Sequence, residues 1–159
     1  MEEKKLAIIA TKGSLDWAYP PFILASTSAA LGYETQIFFT FYGLQLLKKK
    51  LSLEVTPLGN PGMPMPMGMD KWFPVLGLAL PGMQAMMTSM MKKKMRDKGV
   101  ASLEELRELC QEAEVKLIAC QMTVDLFDMN PSQFIDGIEF AGAAAFFEFA
   151  GESDICLYI

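Results

Sequence analysis

The chain has 159 residues, a length that suits one domain with a substantial core. Apolar residues make up 52% and the mean hydropathy is +0.24, which excludes general disorder. That apolar content exceeds what a monomeric soluble domain needs, so other subunits or a membrane are expected to cover part of the surface. Nineteen acidic against 14 basic residues leave a net charge of −5, which argues against nucleic acid as the main ligand.

Leu6 to Thr11 is short, apolar and β-branched, the pattern of a buried strand, and Lys12-Gly13-Ser14 is the turn leaving it. Pro20-Pro21 fits the first turn of a helix, where a missing N–H is harmless. That helix runs through Phe22 to Leu31, with Gly32 just past its end. Glu34 to Phe41, rich in aromatic and β-branched residues, reads as the second strand. A helix follows Gly43 and ends near Lys50. A strand–helix–strand–helix opening implies a parallel sheet. Further on, Ser102-Leu103-Glu104-Glu105 is a capping box opening a helix to about Ala113. Val115 to Thr123 contains a strand ending at Cys120. Thr123 to Met129 is helix-like, and Pro131 and Gly137 mark a loop and a turn. Ile138 to Phe140 is a short strand, Ala143 to Ala150 an apolar helix, and Asp154 to Ile159 a terminal strand carrying Cys156. No repeat and no linker interrupts a single domain over 1–159. The basic runs Lys48-Lys49-Lys50 and Lys92-Lys93-Lys94 read as solvated helix ends.

The three cysteines have no CxxC spacing, which disfavours a disulfide framework and a structural zinc site. Their reading as reduced thiols, and the lack of signal-peptide character in Met1 to Lys5, lead to an expected cytoplasmic location. Cys120 is the candidate for chemistry. It ends a buried strand, where ligands of open α/β sheets collect. The chain has no histidine, so a Cys–His pair is excluded; the following helix N-terminus is the alternative source of thiolate stabilisation. Such a thiolate suits sulfur handling better than hydrolysis. Gln121 adjoins the thiol, and Thr123 is a capping hydroxyl or a donor to sulfur. Lys12, Gly13 and Ser14 after the first strand, and Thr40, Tyr42 and Gly43 after the second, open on the same sheet edge. Lys12 is a candidate to lower the thiol pKa or hold an anionic sulfur species. Asp125 and Asp128 read as structural, with Asp125 placed in the first turn of the helix. Cys110 and Cys156 are packing thiols, or resolving thiols if the fold brings either to Cys120.

Four segments together resemble the DsrE/DsrF-like family of sulfur-relay proteins, in its second-type DsrE or "peroxiredoxin-like" subgroup. They are Gly13-Ser14-Leu15-Asp16 with Tyr19-Pro20-Pro21, Ile37 to Leu44, Ile118 to Met122, and Phe134 to Ala143. The resemblance covers nearly the whole chain. It implies a three-layer α/β sandwich with a mostly parallel central sheet, flavodoxin-like in outline, assembling as a homo-oligomer. It also implies that Cys120 accepts sulfane sulfur as a persulfide and passes it to cysteine-bearing carriers such as TusA-like or rhodanese-like proteins. A Thr-x-x-Cys peroxidatic context is absent.

An apolar insertion built of Met, Pro and Gly, at about 57–91, is the unusual part. Met63, Met65, Met67 and Met69 alternate, and Trp72 to Met91 carries no charge. Thioethers suit Cu(I), but no histidine supports such a site, and no metal or cofactor is expected. The uncharged run approaches the length of a membrane span, yet Pro74, Gly77, Pro81, Gly82 and Gln84 interrupt a clean helix. The favoured reading is a flap between subunits or over the thiol, with a peripheral membrane contact as the alternative. The function expected is a sulfur carrier or sulfurtransferase. The other readings are a small-molecule or nucleotide-binding α/β module and a membrane-associated subunit acting through the Met-rich segment.

Overall fold

The computed structural model describes residues 4–57 and 80–159. Five strands form one all-parallel sheet: β1 (Lys5–Ala10), β2 (Glu34–Phe39), β3 (Lys116–Cys120), β4 (Glu139–Ala141) and β5 (Ile155–Tyr158), in the spatial order β4-β3-β2-β1-β5. The helices are α1 (Leu15–Ala30), α2 (Met83–Asp97), α3 (Leu103–Glu112), α4 (Gln121–Leu126) and α5 (Ala143–Ala150). This is the expected α/β architecture.

The strand order determines which face each helix covers. From β1 to β4 the chain steps across the sheet in one direction, and right-handed crossovers put α1 and α3 on one face. The return from β4 to β5 runs the opposite way, so α5 lands on the other face. Side chains follow. Phe22 of α1 meets Phe39 at 5.7 Å between ring centroids, and the buried Ser28 hydroxyl pairs with Thr35 at 2.7 Å. On the opposite face Phe146 of α5 meets Phe38 at 5.1 Å.

Several local features differ from the sequence reading. α1 begins at Leu15, so Pro20 and Pro21 lie in its second turn, where their lost N–H groups deprive only the Asp16 and Trp17 carbonyls of a helical donor. After Thr40 the chain forms a 3-10 helix over Phe41–Leu47 rather than an α-helix reaching Lys50. The capping box at Ser102 forms in both halves, with Ser102 Oγ accepting from Glu105 N–H and Glu105 accepting from Ser102 N–H. Part of the stretch read as a flap is helical: Gly82, at φ 83°, turns the chain into α2, whose Met, Gln, Ala and Lys residues favour helix. The alternating methionines 63–69 and Trp72 lie outside the described residues.

By packing, the chain divides into two compact units. One comprises Met1–Gly13, Trp17–Ser52 and Ser102–Ile159; the other comprises Ser14–Asp16 and Leu53–Ala101. In the second, Thr56 donates its N–H and hydroxyl to the Asp16 carboxylate at 2.9 and 2.7 Å. Thr88 and Gln84 of α2 bond the two sides of Val55 at 3.0 and 2.9 Å. The first unit contains the sheet. In it the buried Arg107 of α3 donates to the Leu46 and Lys48 carbonyls at 3.0 and 2.9 Å. Burial lowers its pKa, opposed by Glu104 and Glu108. No helix among the described residues is long and apolar enough to cross a membrane.

Candidate functional site

Cys120 closes β3 and is the N-cap residue of α4. β3 and its neighbour β2 are buried on both faces, so both read as apolar runs that end together at one edge. Two glycines let the loops at that edge pack closely. A Cβ on Gly43 would lie 2.1 Å from the Ala10 carbonyl oxygen, and one on Gly13 would lie 2.4 Å from that of Tyr42. Gly43 N–H instead donates to the Thr11 carbonyl at 3.1 Å, and Thr40 N–H donates to Ala10 at 3.1 Å.

Thr123, fully buried in the first turn of α4, ties this edge to the cysteine turn. Its hydroxyl meets the Thr40 hydroxyl at 3.1 Å and accepts the Phe41 N–H at 3.3 Å. Phe41 sits at φ 49°, a left-handed backbone that an aromatic residue rarely adopts. Thr123 therefore fixes a strained backbone beside the cysteine turn and does not bond the sulfur. Tyr42 stacks on Phe127 at 6.0 Å between centroids and helps line a pocket of about 330 Å³ with Gln45, Lys48, Asp128 and Met129.

The sulfur itself points elsewhere. Cys120 is 4% exposed and belongs to the apolar cluster of Ala7, Phe38, Ile118, Phe146 and Phe149 on the α5 face. It makes no capping hydrogen bond to the N–H groups of α4, so the expected helix-end stabilisation of a thiolate is not made in this conformation. Lys12 does not supply it either. Its ammonium lies 3.1 Å from the centre of the Trp17 ring, and β1 is two strands away from β3. Ser14 belongs to the other compact unit, where its hydroxyl meets Thr56 at 3.1 Å. Gln121 donates to Asp125 at 2.7 Å in an exposed pair, and Asp125 lies beyond the first turn of α4. Asp128, at φ 49°, follows the end of that helix.

Neither of the other thiols reaches Cys120 within one chain. Cys110 lies on the opposite face of the sheet, where its thiol donates to the Phe22 carbonyl at 3.5 Å and burial raises its pKa to about 11. Cys156 pairs with Ala7 in register, level with Lys116 on β3. It is thus four residues back along the strands and three strands across, about 13 Å by about 14 Å. A disulfide needs Cα atoms within about 7 Å. Both are therefore removed as resolving thiols for the Cys120 of the same chain, and all three cysteines are free. Phe146 and Phe149, the α5 members of the cluster that holds Cys120, were not legible as such from the sequence. Their only sequence signal is the apolar helix pattern, which reads as core.

The sequence profile of the DsrE/DsrF/DrsH-like family matches residues 2–158. The chain belongs to this family. It is 88% identical to the sulfur carrier protein DsrE2 of Allochromatium vinosum over 159 residues, all of both chains. It is 34% identical to the uncharacterized protein YrkE of Bacillus subtilis over 164 residues, covering 99% of this chain and 98% of that one. The crystal structure of the ychN protein from E. coli superposes with a TM-score of 0.59 over 98% of this chain and 99% of that one; at 12% identity it supports the fold alone.

Proposed function

We propose that this chain is a sulfur carrier in which Cys120 accepts sulfane sulfur as a persulfide and yields it to a partner thiol. The observation that carries the reading is the 88% identity, over its full length, to a protein described as a sulfur carrier. The placement of the thiols supports Cys120 as the bearer. Cys110 is held neutral by burial on the other face, and Cys156 lies within an edge strand, whereas Cys120 ends a central strand at the loop-bearing edge. The chemistry is thiol–disulfide exchange with one additional sulfur and needs no histidine.

The same reading has the chain acting in the cytoplasm as a homo-oligomer that exchanges sulfur with TusA-like or rhodanese-like carriers. Phe147 and Tyr158, 68% and 75% exposed, support a further subunit covering apolar surface. A peripheral membrane contact through α2, where Met86 and Met90 are exposed ahead of Lys92-Lys93-Lys94, is tested by flotation with anionic vesicles.

Intact-protein mass spectrometry after brief incubation with polysulfide tests the carrier reading. A reductant-reversible gain of one sulfur, kept in Cys110→Ser and Cys156→Ser and lost in Cys120→Ser, is the expected result. Equal loading of all variants, or of none, refutes it.

A further inference from the structure

A carrier must present its thiol, yet Cys120 is buried, in the apolar cluster to which α5 contributes Phe146 and Phe149. α5 is fastened unevenly. Of its eight residues only Phe146 and Phe149 are buried, while Ala143, Ala144, Ala145, Phe147 and Glu148 face outward. Its C-terminal end is held by several contacts. The Phe149 carbonyl accepts from the Ser153 hydroxyl at 3.0 Å, and the Lys5 ammonium lies 5.7 Å from the Phe149 centroid and 2.9 Å from Glu152 Oε2. Asp154 exchanges two hydrogen bonds with the Lys5 backbone, at 2.8 and 3.0 Å. Its N-terminal end has no comparable hold among the described residues. Gly142 caps it without a side-chain hydrogen bond, three alanines follow, and nothing lies within 4 Å of where a Cβ on Gly142 would sit.

We propose that α5 is a hinged aromatic lid over Cys120, lifting from its Gly142 end about the fastened Ser153 end to admit the sulfur donor and closing on the loaded persulfide. This rests on Cys120 being the sulfur-bearing thiol. With the lid open, Cys120 loses its proton to water. The thiolate attacks the outer sulfur of a donor persulfide R–S–SH, the new bond forms to Cys120 as the donor's S–S bond breaks, and R–S⁻ departs with the electron pair. No external oxidant is consumed. With the lid closed, Phe38 and Phe146 surround the added sulfur with polarizable rings, which suit neutral sulfur, and keep out competing water-borne nucleophiles.

The other thiols provide an internal scale. In chains keeping one cysteine each (the others replaced by alanine), alkylation by iodoacetamide is followed by intact mass at one pH. Exposed Cys156 is expected to react as a free thiol and Cys120 at least about tenfold more slowly, as local opening limits it. Phe146→Ala is expected to speed Cys120 labelling about tenfold or more by removing one of the two buried rings. Gly142→Ala, which meets no neighbour, is expected to slow it about two- to five-fold by restricting the open state, with Cys156 unchanged. If Phe146→Ala fails to fold by circular dichroism, Phe146→Leu and Gly142→Ala carry the test. The lid is overturned if Cys120 labels as fast as Cys156, or if its rate is unmoved by Phe146→Leu and Gly142→Ala. Polysulfide loading in the same chains separates the two readings. Gated alkylation with no sulfur gain in any variant supports the lid and refutes the carrier; immediate loading of Cys120 at a free-thiol rate supports the carrier and overturns the lid.

Discussion

Gly43→Ala tests how the carboxyl edge of the sheet is built. The new Cβ would lie 2.1 Å from the Ala10 carbonyl oxygen, 2.8 Å from its carbon and 3.3 Å from the Thr11 nitrogen. All three are backbone atoms, so no side-chain rotation relieves the contact, and the ends of β1 and β2 must separate by more than an ångström. That movement breaks the Gly43 N–H to Thr11 and Thr40 N–H to Ala10 hydrogen bonds, both 3.1 Å. Two lost bonds, with their groups left poorly paired, cost about 2–4 kcal/mol. Reduced backbone freedom in the unfolded chain returns about 0.4–1 kcal/mol. The net expectation is a loss of about 2–3 kcal/mol, or a melting temperature lower by about 4–12 °C for a domain of this size. Urea denaturation followed by circular dichroism measures it. Gly142→Ala serves as the control, because its Cβ meets nothing, and it is expected to stay within about 0.5 kcal/mol of the native chain or to stabilise it slightly. A Gly43→Ala chain as stable as the native one would refute the close approach.

Three other outcomes are expected. Arg107→Met leaves the Leu46 and Lys48 carbonyls without their donor and should cost about 1–3 kcal/mol in the same assay; a neutral result would mean the carbonyls find other partners. Thr123→Val removes the acceptor of the Phe41 N–H and should cost about 1–2 kcal/mol with faster Phe41 amide exchange. Thr123→Ser should restore most of both, and unchanged exchange in Thr123→Val would refute the tie. Cys110 gives a pH dependence. Its thiol titrates near 9.0 when unburied and at about 11 when folded, because burial penalises the thiolate. Above pH 9 the unfolded chain loses a proton that the folded chain keeps, so stability falls as pH rises from 9 to 11, by about 2 kcal/mol in all. Well below pH 9 both states keep the proton and the thiol contributes no slope. Cys110→Ala should lack this fall, and parallel curves for the two proteins would refute it.

Much of the sheet was legible because the central strands are buried on both faces and read as continuous apolar runs, as Ile37 to Phe39 and Leu117 to Ala119 do. The start of α3 was legible because a capping box is a local exchange between Ser102 and Glu105, independent of tertiary context. The 3-10 helix was missed because Leu44, Leu46 and Leu47 suggest an apolar helix, while their close spacing, with Gly43 also buried, belongs to a tighter turn. The start of α1 was missed because Pro20-Pro21 reads as a helix opening, although a second turn tolerates it. For the site, the edge position of Cys120 followed from strand and helix order alone. The direction of its sulfur did not, since that depends on strand parity and on which helix covers each face. The positions of Cys110 and Cys156 relative to it likewise required register.

Parity and topology together account for the character of the thiol. Alternation puts Cys120 on the same side as Ile118 and, through the parallel register, as Phe38 and Ala7. A shift of one residue would place it where Ala119 is, on the face of Phe39 and α1. That face is covered by α1 and α3. A thiol there meets the environment of Cys110, whose pKa burial raises to about 11. Among the described residues the α5 face receives the return connection, an eight-residue helix that buries Phe146 and Phe149. A thiol on this face instead joins the apolar cluster that includes Phe38 and Phe146, at the end of a central strand.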